Sequence, residues 1–342
     1  MWSRRPRLLN NSRSRWLATR HYCSRFTAHS LHGKQLAGRL GIKIDVDTLK
    51  GFCKGVPALL QVLGDQAVKA SFFLALGPDH SGRAIFRIFR QRGFLEKMWR
   101  TRAPSLYGFK TMCYGTLLPG PLIGAAAPDL VPRLAAAGHE VGLHGYDHVR
   151  WHDHLFHLPP DQVTREIALA QDAFTKCSGH RAAAFAAPGW QCSLSSRTAL
   201  AAQNFLYGSD TRGTTPYFPA FGNTVTSVLE IPTTLPTLDE LLGFHGCRAQ
   251  DFTSLVLSRL ENGPPQVLTI HAEVEGGPFL GEFARLLERC RDRRVEFFRL
   301  EDWARELLRE PNRLPVAQVT LKRLPGRAGR VSCQGPVEAR PS

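Results

Sequence analysis

The amino-acid sequence predicts an α/β fold whose parallel strands close into a barrel, and three observations carry that expectation. Short apolar segments alternate with helical ones from about residue 40 to residue 310. Seven or eight such pairs in one uninterrupted run favour a closed barrel over an open sheet. Acids and histidines recur at the ends of the apolar segments, and barrels of this kind gather their active groups at the carboxyl ends of strands.

Residues 41–46 (Gly-Ile-Lys-Ile-Asp-Val) read as a buried strand, 56–63 as a helix with one apolar face, and 70–76 as a second strand stopped by Gly77-Pro78. A helix over 129–137 follows, with Pro132 in its first turn where a missing N–H is harmless. Then come strand 140–144, helix 160–177, strand 182–187, helix 195–203 and strand 205–209. Strand 228–231, helix 251–261, strand 267–271, helix 281–291, strand 295–299 and helix 302–309 complete the series.

One segment breaks the rhythm. About fifty residues, 78–128, precede the helix of the third unit, and loops of that length have a function or are disordered. Within it, 83–100 holds six basic residues and one acid among aromatic and aliphatic side chains. It reads as a basic amphipathic insertion. Arg83, Phe86, Arg87, Phe89, Arg90 and Trp99 are its candidate contacts with an anionic membrane surface. A helical hairpin packed on the barrel with arginines outward is the competing reading, and Gly93 interrupts any single helical face.

The formal net charge of +15 is concentrated at the ends. Residues 1–43 hold ten Lys/Arg and no acid, residues 311–342 hold six against one, and 44–310 are balanced at 28 of each sign. A neutral body argues against a nucleic-acid groove. Residues 1–39 form a basic extension, expected to be disordered. It resembles a mitochondrial transit peptide in composition, with a start-site extension as the favoured origin. The segment after 310 reads as a basic, loosely ordered tail. The eight cysteines lack any C-x-x-C pair, which fits reduced thiols in a cytosolic compartment. No apolar run approaches the roughly 20 residues needed to cross a bilayer.

Asp45 and Asp47 lie two apart on a strand and so face the same way. His144 and His148, four apart after an apolar segment, can present two imidazoles to one ion. Asp47, His144 and His148 then form a metal-ligand triad with open positions, and Asp45 is left as general base. Zinc, manganese, cobalt and nickel all stay open as the divalent ion. His271, at the end of another strand, is the candidate proton donor to a leaving amine, against the alternative of a satisfied core histidine.

Asp45-Val46-Asp47, His144-x3-His148, Ala186-Ala187-Pro188-Gly189-Trp190 and Ile270-His271 resemble, in order, the motifs of NodB-type polysaccharide deacetylases. The resemblance implies a distorted seven-stranded (β/α) barrel and metal-dependent amide hydrolysis on a carbohydrate. Ser209-Asp210-Thr211-Arg212-Gly213 and Ile270-His271-Ala272-Glu273-Val274-Glu275-Gly276 look like one branch of that family, which deformylates 4-deoxy-4-formamido-L-arabinose-phosphoundecaprenol. That branch implies lipid A modification, polymyxin resistance and work on the cytoplasmic face of a bacterial inner membrane. It also brings in Trp190, Asp210, Arg212, Glu273 and Glu275 as substrate-binding or supporting residues. Two departures stand out. Val46 separates acids that are adjacent in the wider family, so the division of roles between Asp45 and Asp47 is inferred. Ala186 stands where the family carries an arginine, and Arg212, near Asp210, is the candidate replacement. An N-acetyl sugar deacetylase, which would be expected to carry an export signal, and a non-catalytic barrel binding a polyprenyl-phosphate sugar are the competing readings.

Overall fold

The computed structural model describes residues 38–86, 109–242, 247–261 and 263–338. Strand β1 (Arg39–Val46) is its axis. Leu40, Ile42, Ile44 and Val46 are fully buried and join one cluster with Val56, Leu59 and Leu63 of the helix Val56–Asp65. The alternate residues Gly41, Lys43 and Asp45 therefore face the barrel interior, as the two-residue period of a strand requires. This one alternation separates packing from chemistry.

Parallel neighbours extend the sheet through β2 (Ser71–Leu74), β3 (Glu140–Leu143), β4 (Ala184–Phe185), β5 (Tyr207–Gly208) and, after the hairpin β6 (Phe218–Phe221) and β7 (Thr224–Val225), β8 (Leu229–Glu230). On the other side β1 pairs with β9 (Gln266–His271), in a register that sets Asp45 against His271. These seven strands curl into the expected barrel. Its open seam lies between β8 and β9, where the Thr234 and Leu235 amides both donate to the Val267 carbonyl, at 3.1 and 3.2 Å. An eighth short strand, β10 (Glu296–Phe298), pairs with the first three residues of β1.

Helices cover the outer face. Pro160–Ser178 starts on a proline and ends on left-handed Gly179, and Leu194–Ala202 is closed by a reciprocal Ser193–Ser196 capping box. The sequence reading misses the short helix His148–His154, whose amide at Arg150 donates to the Asp147 carboxylate.

The C-terminal segment corrects an expectation. Instead of a loose tail it forms β11 (Val316–Lys322) and β12 (Val331–Glu338), which join β6 and β7 in a second sheet of order β12-β11-β6-β7. That sheet is fastened to the barrel rim: the Cys192 amide donates to Ser332 Oγ at 3.0 Å, and the amides of Arg212 and Gln334 close a reciprocal pair across Ser332 O and Arg212 O. Polar groups on neighbouring elements, absent from any local pattern, hold these strands in place.

Of the insertion, the turn Ser81–Phe86 and the helices Phe109–Cys113 and Ile123–Ala126 are described. Arg83 is exposed and donates through Nε to the Gly115 carbonyl. Arg87, Phe89, Arg90 and Trp99 lie outside the described residues, as does nearly all of the 1–39 extension. Cys53, Cys113, Cys177, Cys192, Cys290 and Cys333 are free thiols. Cys247 departs from the expectation of reduced thiols, being disulfide-bonded.

Candidate metal centre and hydrolytic site

The carboxyl ends of β1, β3 and β9 converge on Asp47. His144 Nε2 stands 3.2 Å from Asp47 Oδ1 and His148 Nε2 stands 3.5 Å from Asp47 Oδ2. One ligand atom from each of these residues lies within 4.8 Å of the other two, as the triad requires. The two histidines do not share a helical turn. His144 ends the β3 segment, left-handed Gly145 redirects the chain, and His148 opens a helix. His144 Nδ1 donates to the Ala186 carbonyl at 2.8 Å, which leaves the Nε2 lone pair aimed at the centre.

The donor set fits a divalent ion on its own evidence. Asp47 Oδ1 is buried and accepts no hydrogen bond. Burial would raise the Asp47 pKa, but the opposing pull of His148, His144 and His271 holds it well below the usual carboxylate range. Burial likewise opposes protonation of His144, and the carboxylates of Asp45 and Asp47 outweigh it to raise that pKa. Two imidazoles and one carboxylate, with the remaining positions open, suit a catalytic site better than a closed structural one.

Asp45 is 3% exposed and differs from Asp47 in its partners. Its Oδ2 accepts from Lys43 Nζ at 3.1 Å and lies 3.9 Å from His144 Nε2, whereas Oδ1 is buried without a hydrogen bond. A carboxylate anchored through one oxygen and unengaged at the other is arranged to accept a proton.

Lys43 is the residue that sequence reasoning missed. It is fully buried, two positions before Asp45 on the same face of β1, and it also donates to the Ser209 carbonyl at 3.3 Å. A lysine inside an otherwise apolar strand was the available signal. Arg212, the expected substitute for the arginine absent at 186, turns elsewhere: its Nη1 meets Glu240 at 2.7 Å and its Nη2 the Leu235 carbonyl at 2.9 Å. Asp210 is instead bound by fully buried Arg197, which reaches Asp210 at 2.7 Å and Glu230 at 2.9 Å. Burial pushes Glu230 up to about 7 and raises Asp210, with Arg197 opposing both shifts.

His271 completes the ring around the centre. Its Nδ1 is 3.9 Å from Asp239, and its ring meets Trp190 edge-on at 6.4 Å. Trp190 sits in a turn with two consecutive left-handed residues, Gly189 at φ +62° and Trp190 itself at φ +53°. A Cβ at Gly189 would collide with the His152 ring, so glycine is needed there on both counts. Glu273 and Glu275 are fixed by the backbone they support. Glu273 Oε1 accepts from the amides of Asp47 and Thr48 and from Thr48 Oγ1 at 2.8–3.0 Å, while Glu275 Oε2 accepts from the His271 amide at 2.9 Å. Burial pushes both up to about 8. They brace the strand ends that carry Asp47 and His271.

A curled parallel barrel with this constellation at its carboxyl rim defines an amide hydrolase of the carbohydrate deacetylase class. Residues 46–207 match the polysaccharide deacetylase family. The chain is 35% identical over 264 residues to the probable 4-deoxy-4-formamido-L-arabinose-phosphoundecaprenol deformylase ArnD of Shewanella sediminis, covering 77% of this chain and 85% of that one. It is 31% identical over 282 residues to the protein so described in Wigglesworthia glossinidia brevipalpis, covering 82% and 96%. The chain belongs to the polysaccharide deacetylase family. Solved structures repeat the fold: a polysaccharide deacetylase candidate from Mycobacterium smegmatis has a TM-score of 0.56 at 19% identity, with 86% and 97% of the two chains covered. A probable polysaccharide deacetylase from Pseudomonas aeruginosa has a TM-score of 0.55 at 17% identity, covering 80% and 92%.

Proposed function

We propose that this protein removes the formyl group from 4-deoxy-4-formamido-L-arabinose-phosphoundecaprenol, releasing formate and the 4-amino sugar lipid for lipid A modification and polymyxin resistance. The convergence of Asp45, Asp47, His144, His148 and His271 at one barrel rim carries this reading, and the curated relatives supply the substrate class. Asp47, His144 and His148 would hold one divalent ion, which when bound supplies Lewis acidity for the amide carbonyl and acidifies water. Asp45 Oδ1 takes the proton from the attacking water, with Lys43 fixing the other oxygen. His271 gives a proton to the nitrogen as the carbon–nitrogen bond breaks, so that water and formamide become formate and amine.

Because the inferred substrate is tethered to a polyprenyl lipid, the protein works from the cytoplasmic face of the inner membrane. Among the described residues no helix is long and apolar enough to cross a membrane. We assign attachment to the basic segment 83–100 on its six basic residues and its interleaved aromatic and aliphatic side chains. Basic groups at an anionic surface contribute about 1 kcal/mol each, so a few suffice for reversible docking. Charge reversal at Arg87 and Arg90 should lower sedimentation with phosphatidylglycerol liposomes, and unchanged sedimentation would remove the segment from this role.

Mass spectrometry of the metal-loaded protein with formamido and acetamido forms of the sugar lipid tests the reaction. Loss of formyl with acetyl retained is the expected result. Preferential loss of acetyl would make this an N-acetyl sugar deacetylase, and turnover of neither with binding retained would make it a non-catalytic barrel.

A further inference from the structure

We propose that Trp190 confines the enzyme to formamides: its indole is a fixed wall beside the carbon under attack, and the C-terminal sheet braces it. The proposal rests on the amide-hydrolase reading above and adds to it the residue that separates formyl from acetyl.

The ring stands beside the groups assigned to the reaction. It meets His271 edge-on, with centroids 6.4 Å apart, and Lys43 Nζ lies 5.4 Å from its centroid while donating to Asp45 Oδ2 at 3.1 Å. The carbon under attack has four directions to fill. Its nitrogen is on the side of His271, the incoming water is on the side of Asp45, and its carbonyl oxygen is on the side of Asp47, His144 and His148. The fourth substituent is hydrogen in a formamide and methyl in an acetamide, and the indole closes the side that remains to it.

Several restraints keep the ring from yielding. Its Nε1 donates to Thr233 Oγ1 at 3.0 Å, and that hydroxyl is 2.7 Å from Thr269 Oγ1 on β9, two residues before His271. Ring and histidine are thus tied to one strand. The backbone at Trp190 is left-handed directly after left-handed Gly189, a conformation costly for a residue with a Cβ and kept only where the surroundings enforce it. From the C-terminal sheet, Val331 and Cys333 of β12 and Leu324 of the preceding turn pack against the indole. The guanidinium groups of Arg327 and Arg212 are 4.3 and 5.0 Å from its centroid. Arg212 has its terminal nitrogens on Glu240 and the Leu235 carbonyl, so what it does here is hold the ring.

A packed interior resists displacement, and a methyl group would have to distort what a hydrogen leaves untouched. One carbon more or less in such a pocket corresponds to about 10–200-fold in kcat/KM. The C-terminal sheet thereby acquires a function, since it supplies the packing that keeps the wall in place.

The test measures kcat/KM of the metal-loaded parent, Trp190→Phe and Val331→Ala on the methyl glycosides of 4-formamido- and 4-acetamido-4-deoxy-arabinose. The parent should favour the formamide by about tenfold or more, and Trp190→Phe, with its smaller ring, should narrow that preference about tenfold by admitting the acetamide. Val331→Ala, which loosens the brace from the C-terminal sheet, should shift the preference the same way to a smaller extent. A parent that hydrolyses both alike, or variants that lose both activities in proportion, would overturn the wall while leaving an amide hydrolase. Calorimetric titration with formate and acetate reads the same space without turnover: tighter formate binding by the parent, with the gap narrowed in Trp190→Phe, supports the wall, and equal affinities in the parent overturn it. Should the parent hydrolyse neither glycoside yet show this formate preference and its loss in Trp190→Phe, the reaction assignment fails and the wall stands.

Discussion

Replacing Lys43 with methionine strands a buried carboxylate, and the cost can be worked from the structure. Lys43 Nζ and Asp45 Oδ2 are 3.1 Å apart, with side chains 0% and 4% exposed. At that distance and an effective dielectric of about 20, their attraction is about 5 kcal/mol, offset in part by the desolvation of both ions. Removing one partner from such a pair costs about 3–5 kcal/mol, because the other charge remains in the interior. Removing both costs far less. Lys43→Met and Asp45→Asn should therefore each destabilise the fold, while the double variant should recover at least about 2 kcal/mol relative to the sum of the single losses. Urea unfolding of the four proteins in chelator, at one pH, measures this coupling. Additive losses within about 0.5 kcal/mol would mean that the pair is energetically uncoupled. Lys43 would then have no claim to hold the general base.

Elemental analysis of Asp47→Ala/His144→Ala should find the divalent ion lost, and full occupancy would move the metal centre elsewhere. Asp45→Asn and His271→Ala should keep the metal and lose roughly 10²-fold or more in turnover, the usual scale for general acid–base help. Near-parent formamide hydrolysis by either would show its role to be misassigned. A pH prediction follows from Glu140, which burial pushes up to about 7 against hydrogen bonds from Ser71 and Tyr207. Its folded pKa is above the ordinary 4.5, so its stabilising contribution is complete below that value and is lost as pH rises through about 7. Glu140→Gln should flatten the decline of stability in this window by up to about 1.4 kcal/mol per pH unit, checked by urea midpoints across the range. An unchanged slope would show that Glu140 does not titrate there.

The sequence by itself determined the barrel and which acids and histidines meet at its rim. Apolar residues at even positions of β1 and polar ones at odd positions follow from a two-residue period, so Asp45 and Asp47 had to share a face. Parallel strands joined by helices bring their carboxyl ends together, which places His144 and His271 near those acids. Partner choice was a different matter. Asp210 and Arg212 are two residues apart, yet Arg212 turns to Glu240 and Asp210 takes Arg197, whose helix packs against this part of the barrel. Lys43 was visible as a lysine in an apolar strand, but only the approach of Ser209 and Trp190 shows why its charge can be buried there. The C-terminal sheet was hidden by composition. Its strands are separated by a turn rich in Arg, Gly and Pro, and hydrogen bonds to the rim residues Cys192, Arg212 and Thr214 hold them in place. Local periodicity sets which way a side chain points, whereas the charge or amide it meets comes from other elements, 13 residues away for Asp210 and Arg197 and 166 for Lys43 and Ser209, and only the folded chain brings these together.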